Sequence, residues 1–429
     1  TTERVYSISE ETKTKLGNLD KEVEITLINL ADEDLIDFFN KYTHLNSNIK
    51  IERIDDLSSR ADIMNEYQLQ STDSLIVVKS GEKQLEVSPY DLTTVDYSTY
   101  EEIDKKEEVI TNSIIEVTIE EKPKIYFLTG HNYYTDDYFQ LVKYDISAEA
   151  NEVNTLNIII QGSVPEDCNC LVITTLKEDI TELEKEKIKE YINNEGKILF
   201  LLDANIQGIA TPNFEEILSM YGMKISNGIL LEQDSNQMGY GSPQLIISRI
   251  EDVINRNIKM SMDMCVLNAG RIEFENEETL NSLGVAYTEI AKTSDKAFLR
   301  TNLKLNTDTK TNQDTDAPNS IIGALVTKQL GEGKTAEAIV YSNAVFATNQ
   351  QVTQMDYAER LFNNEDVVIN SISYLTQRTD TITIRKDSDS VRYMVTEAQH
   401  YTIIIIIFGL PILIIIAGII VWRIRRRRG

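Results

Sequence analysis

The sequence predicts an α/β protein of two units followed by a transmembrane helix near the C-terminus. Three observations predict it. Residues 1–117 order their hydrophobic segments strand, helix, strand, helix, strand, strand. From Lys124 the alternation lengthens into buried strands and amphipathic helices joined by short loops, the pattern of a parallel sheet with helices on both faces. Tyr401 to Trp422 is a run without a charged side chain, and some 20 helical residues span the roughly 30 Å hydrocarbon core of a bilayer.

In the first unit, 1–119, Val23, Ile25 and Leu27 alternate as a half-buried strand does. Asp32 opens a helix whose Leu35, Phe38, Phe39 and Tyr42 share one apolar face. Ile49, Ile51 and Ile54 mark a second strand. Leu75 to Val78 marks a third, and Gly81 turns the chain into a fourth with Leu85 and Val87. This order is thioredoxin-like, but no Cys-x-x-Cys is present, so redox chemistry is not implied. Residues 107–119 read as a helix, and Glu120-Glu121-Lys122-Pro123 ends the unit.

In the second unit, 120–398, strands are expected at 124–130, 170–176 and 197–203. The helix 181–194 should bury Leu183, Ile188, Tyr191 and Ile192 before Gly196 stops it, and 212–220 is another helix. Late strands are expected at 324–330 and 335–343. A helix follows over 357–377 with Val368, Ile372 and Leu375 in phase, and Thr381 to Ile384 is a final strand. Residues 232–320, rich in Asn, Asp, Ser and Thr, read as an insertion whose layout the pattern does not assign.

Five arginines, Arg423 and Arg425 to Arg428, follow the apolar run directly. Positive residues beside a spanning helix stay in the cytoplasm. Residues 1–400 are therefore expected to be extracytoplasmic and the tail, Arg423–Gly429, cytoplasmic. A cleaved signal or an N-terminal membrane helix is expected upstream of Thr1.

The net charge of −27 repels phosphate backbones and anionic lipid, which argues against a nucleic-acid partner. Three cysteines, Cys168, Cys170 and Cys265, give no disulfide framework. They also precede or avoid any strand-to-helix elbow, so they are expected to be dispensable. His44, His131 and His400 are far apart in sequence, which supplies no metal site. Gly331-Glu-Gly333-Lys334-Thr335 is a turn between strands rather than a phosphate-binding loop, so the chain is not itself an ATPase. No cofactor is expected.

In an open parallel sheet, ligands bind beyond the carboxyl ends of the strands. The segments expected there carry Gly130 and His131, then Asp203 and Asn205, then Ser342 and Asn343. Gly130 permits a sharp turn and His131 would project into the crevice. The alternative is that Asp203 and Asn205 cap turns and His131 bonds to backbone.

Several segments resemble the GldG-type auxiliary subunits of ABC transporters. These are EEVITNSIIEVTIEEKPKIYFLTGHN (107–132), VPEDCNCLVIT (164–174), EKEKIKEYINNEGKILFLLDAN (184–205), YSNAVFATN (341–349) and VVINSISYLTQR (367–378). YSISEETKTKLGNLDKEVEITLI (6–28) resembles the opening of that family's outer region. The resemblance covers nearly the whole chain, 232–320 least. It implies a glutamine-amidotransferase-like (flavodoxin-like) second domain, and an ABC permease and an ATP-binding subunit as partners. Active amidotransferases have a Cys after the strand equivalent to 197–203 and a later His. Here Asp203-Ala204-Asn205 stands in that place and 335–349 holds no His, so that chemistry is not expected. Asn132 also departs from the family, where Gly-Glu commonly follows Gly-His.

Together these readings give a non-enzymatic, membrane-anchored subunit that binds a small-molecule or glycan substrate or scaffolds the permease. Two alternatives differ in class. A membrane-anchored envelope hydrolase would draw its carboxylates from Asp136, Asp137 and Asp203. A structural interaction protein would need no ligand.

Overall fold

The computed structural model describes residues 8–96, 101–250, 263–305, 307–331, 333–349 and 364–376. The expected membrane helix 401–422, the strand 381–384 and the first turns of the helix expected at 357 lie outside them. Among the described residues no helix is long and apolar enough to cross a membrane.

The first unit runs α1 (Glu10–Gly17), β1 (Val23–Ile28), α2 (Glu33–Leu45), β2 (Ile49–Ile54), α3 (Ala61–Glu66), β3 (Leu75–Ser80), β4 (Lys83–Val87), the short pair β5 (Thr93–Asp96) and β6 (Glu101–Asp104), and α4 (Lys106–Thr118). Four strands form one sheet in the order β2-β1-β3-β4. β1 is parallel to β2 and antiparallel to β3, and β3 and β4 form the hairpin around Gly81. Asp32 starts α2 by accepting from the amides of Asp34 and Leu35, two donors that the helix itself cannot satisfy. The stripe Leu35, Phe38, Phe39 and Tyr42 is buried against β1, β3 and α4.

The second unit holds a seven-stranded sheet. Its members are β7 (Lys124–Leu128), β8 (Glu152–Leu156), β9 (Cys168–Thr174), β10 (Lys197–Leu201), β16 (Val285–Lys292), β19 (Ile321–Gly331) and β20 (Lys334–Tyr341), in the order β16-β19-β20-β10-β9-β7-β8. The five strands from β8 to β20 are mutually parallel. β19 and β16 complete the sheet antiparallel. β20 therefore returns along β19 as its hairpin partner, and Val285–Lys292, from the segment 232–320, is an edge strand of the main sheet. The short helix α6 (Ile158–Gln161) follows β8. Smaller sheets pair β11 (Met223–Ile225) with β15 (Ile272–Phe274), β12 (Ile229–Leu231) with β17 (Phe298–Arg300) and β18 (Thr315–Asp316), and β13 (Leu245–Arg249) with β14 (Asp263–Leu267).

Strand alternation divides the core between two faces. Leu199, Leu201, Ile339 and Tyr341 pack with α5 (Gln140–Ala148) and the helix Asn364–Leu375. Ile198, Phe200, Ala338 and Val340 pack with α7 (Glu182–Asn193) and α8 (Pro212–Met220). Each such fully buried Ile, Leu or Phe contributes about 1.5–3 kcal/mol relative to exposure. Val368, Ile372 and Leu375 are buried as their spacing predicts.

α7 departs from its expected face. Leu183 is 49 % exposed, whereas Glu184 is fully buried. A capping box explains this, with Thr181 and Glu184 each accepting from the other's backbone amide. Lys185 is buried too, held by Glu182 at 2.9 Å and Glu216 at 3.1 Å. Gly196 ends the helix because a Cβ there would lie 2.5 Å from both the Tyr191 ring and the Tyr191 carbonyl.

Candidate functional site

The carboxyl ends of β7, β9, β10 and β20 converge on one edge of the sheet, and a cleft of about 650 Å³ opens beside them. Asp203, just past β10, organises the cleft floor. Its Oδ2 accepts from the Tyr134 hydroxyl at 2.7 Å and the Thr175 hydroxyl at 3.0 Å. Its Oδ1 accepts from the Ala344 amide at 2.7 Å and from Asn343 Nδ2 at 3.3 Å. The Asp203 amide itself donates to Thr175 Oγ1 at 2.8 Å. One carboxylate thus binds together the loops that follow β7, β9, β10 and β20. Burial, then the nearby Asp203 charge, pushes the Tyr134 hydroxyl well above its ordinary range and keeps it a donor.

Of the residues anticipated from sequence, Asp203, Asn205 and Asn343 line the cleft. Asn205 spends its side chain on its own turn, donating to the Ile209 carbonyl at 2.7 Å and accepting from the Ile209 amide at 2.9 Å. Asn343 donates to the Leu267 carbonyl at 2.7 Å and accepts from the Phe346 amide at 3.0 Å. Ser342 is fully buried and donates to the Gly270 carbonyl at 2.8 Å.

Gly130, His131 and Ser342 do not line the cleft. Gly130 has φ +119°, a backbone region almost closed to other residues. His131 Nε2 lies 3.0 Å from Glu184 Oε2 and its Nδ1 lies 3.6 Å from Glu178. The histidine therefore joins the loop after β7 to the first turn of α7 through side chains, not backbone.

Of the carboxylates considered for hydrolysis, Asp203 lines the cleft and Asp136 and Asp137 do not. Asp136 is ion-paired with Lys143, Asp137 accepts from Gln140, and Asp203 is committed to four donors. Among the described residues no group of three His, Cys, Asp or Glu side chains could hold a metal ion.

Sequence reasoning overlooked Tyr133, Tyr134, Thr175 and Asn268, all of which line the cleft. The two tyrosines follow Gly130-His131-Asn132 directly, and Thr175 follows β9 as Asp203 follows β10. Position after a strand was the available signal. Asn268 offered none, since it reaches the cleft through the segment whose layout the pattern left open.

This geometry defines a parallel α/β domain with a cleft at its carboxyl edge. The family model for an ABC-type uncharacterized transport system matches residues 122–371, more than half of the chain and all seven strands of the main sheet. The chain belongs to this family and is an auxiliary component of an ABC-type transport system. No curated protein matches.

Three solved structures are similar at low identity. The mmIFT52 N-terminal domain is 14% identical with a TM-score of 0.42, covering 61% of this chain and 100% of that one. A putative ThuA-like protein from Parabacteroides merdae is 11% identical with a TM-score of 0.37, covering 63% and 94%. The exo-beta-1,4-mannosidase Op5Man5 from an Opitutaceae bacterium is 10% identical with a TM-score of 0.30, covering 82% and 49%. None reaches a TM-score of 0.5.

Proposed function

We propose that this chain is a GldG-type, membrane-anchored, extracytoplasmic and non-enzymatic subunit of an ABC transport complex. In this reading an amidotransferase-like second domain presents a ligand cleft, and a thioredoxin-like first unit spaces it from the membrane. The observation that carries the reading is the coincidence of the family match with the strands whose ends floor the cleft. Commitment of Asp203 to four intramolecular donors favours a binding or scaffolding role over hydrolysis. The anchor is the apolar run 401–422, and its arginine tail sets the orientation.

The partners are a permease and an ATP-binding subunit. Affinity purification of the tagged full-length chain from membranes in mild detergent should bring down both. Protease treatment of wall-stripped cells should digest residues 1–400 and spare the tail. Elution of the chain alone would refute the partnership, and protection of the outer region would refute the topology.

A further inference from the structure

We infer that the cleft beside Asp203 takes an uncharged, polyhydroxylated ligand, the end of an oligosaccharide. The inference deepens the binding role proposed above and rests on it. Charge comes first. Asp203, Glu215, Glu273 and Glu275 line the cleft, and Lys224 is the one lysine or arginine among its lining residues. A phosphate, sulfate or carboxylate ligand would enter a field of its own sign.

A cationic ligand gains little in return. Asp203 already accepts from four donors. Glu273 is held by Arg271, and by Lys224 at 3.2 Å. Glu215 and Glu275 are exposed, where water screens an added ion pair to a fraction of a kcal/mol or about 1 kcal/mol.

What the cleft offers instead is neutral and two-sided. Gln207, Asn227 and Asn268 line it, and their side-chain amides have no hydrogen-bond partner among the described residues. Each amide both donates and accepts, as a hydroxyl does. Tyr133 is 49 % exposed and packs edge-on against Tyr134, with centroids 5.1 Å apart at 76°. That contact leaves a Tyr133 face for the C–H surface of a sugar ring. Ile206, 50 % exposed, adds apolar surface to the same cleft. The volume of about 650 Å³ falls within the roughly 300–1,000 Å³ usual for small-ligand sites.

Asn268 allows a clean substitution. Its φ of +57° is one that glycine adopts without cost, so Asn268→Gly removes the amide and keeps the backbone. The purified full-length chain in detergent would be titrated calorimetrically with maltotriose, cellotriose and the trimer of N-acetylglucosamine, and with inorganic phosphate and spermidine as charged probes. At least one trisaccharide should bind, and Asn268→Gly and Tyr133→Ala should each weaken it by about tenfold, equivalent to about 1.4 kcal/mol. The thermal midpoint of each variant should stay near that of the wild type.

Binding of phosphate or spermidine without a trisaccharide would overturn the inference. So would no trisaccharide binding at all, or binding indifferent to both substitutions. Failure of the permease to co-elute, with trisaccharide binding intact, would refute the transport partnership and leave the ligand class standing. Co-elution without trisaccharide binding would do the reverse.

Discussion

The Tyr134 hydroxyl donates to Asp203 Oδ2 at 2.7 Å, fastening the loop after the first parallel strand to the loop after the fourth. Tyr134 also packs edge-on against Phe139 and Tyr138, so this bond fixes an aromatic cluster as well as a carboxylate. With Thr175, Asn343 and Ala344 on the remaining lone pairs, Asp203 holds the cleft floor in place. In the binding role proposed above, such preorganisation would lower the ordering cost of a ligand.

Asp203→Ala removes a charged acceptor from four donors, one of them the Ala344 amide, which cannot turn to another partner. A stability loss of about 2–4 kcal/mol is expected from orphaned donors of this kind. Asp203→Asn keeps one acceptor oxygen and should cost roughly half as much. Urea denaturation of the two variants against wild type measures both. A midpoint unchanged in Asp203→Ala would show that the network contributes nothing to the fold.

The cysteines give a second expectation. Cys168, Cys170 and Cys265 are buried. Burial pushes the Cys168 thiol up to about 12 and the Cys170 thiol well above its ordinary value. Thiolate is the reactive form, so these two should resist alkylation at pH 8 until the protein is unfolded. Replacing all three with Ala or Ser should leave binding and partner association intact at a modest cost in stability. Rapid native-state labelling of Cys168 or Cys170, or loss of function in a folded triple variant, would refute the assignment.

Much of the architecture was legible because both units obey simple periodicities. The runs at 170–176 and 197–203 read as doubly buried strands, and β9 and β10 are that. The Asp32 helix was visible from its cap and its i, i+3, i+4, i+7 stripe. Most of what escaped detection was set by tertiary contacts, although the Thr181-x-x-Glu184 spacing of a capping box was there to be read. Leu183 fits an apolar helical face, yet the Thr181–Glu184 capping box and the His131 contact turn Glu184 inward. The short turn at Gly331–Thr335 already implied that β19 and β20 run antiparallel, but β16 lies in the segment 232–320, where no periodicity marked a strand that returns to the main sheet. In the cleft, sequence position brought out Asp203 and Asn343. It could not tell that Asn205 closes its own turn or that Ser342 bonds to Gly270, because those partners are fixed by tertiary packing.

The ion pair of Arg300 and Asp314 provides a prediction that depends on pH. Both side chains are buried, with Arg300 Nη2 2.8 Å and Nε 2.9 Å from the carboxylate oxygens. Arg300 also donates to the carbonyls of Thr307 and Thr309, so the pair folds the loop after Leu299 onto the domain. The Arg300 hydrogen bond, foremost, holds the Asp314 carboxyl at about 2, below its ordinary 3.8. A carboxyl depressed in the folded state adds stability that is fully present above its unfolded value and is lost as pH falls through the folded one. Asp314→Asn should therefore be least stable relative to wild type at pH 5 and above. The gap should close progressively as pH falls from the ordinary 3.8 of the unfolded carboxyl to about 2. Arg300→Met strands a buried carboxylate and should cost about 3–5 kcal/mol at neutral pH. Urea denaturation of wild type and both variants at pH 6, 4 and 3 reads the effect directly. A gap for Asp314→Asn that stays constant across that range would show that the charge of Asp314 does not stabilise the fold.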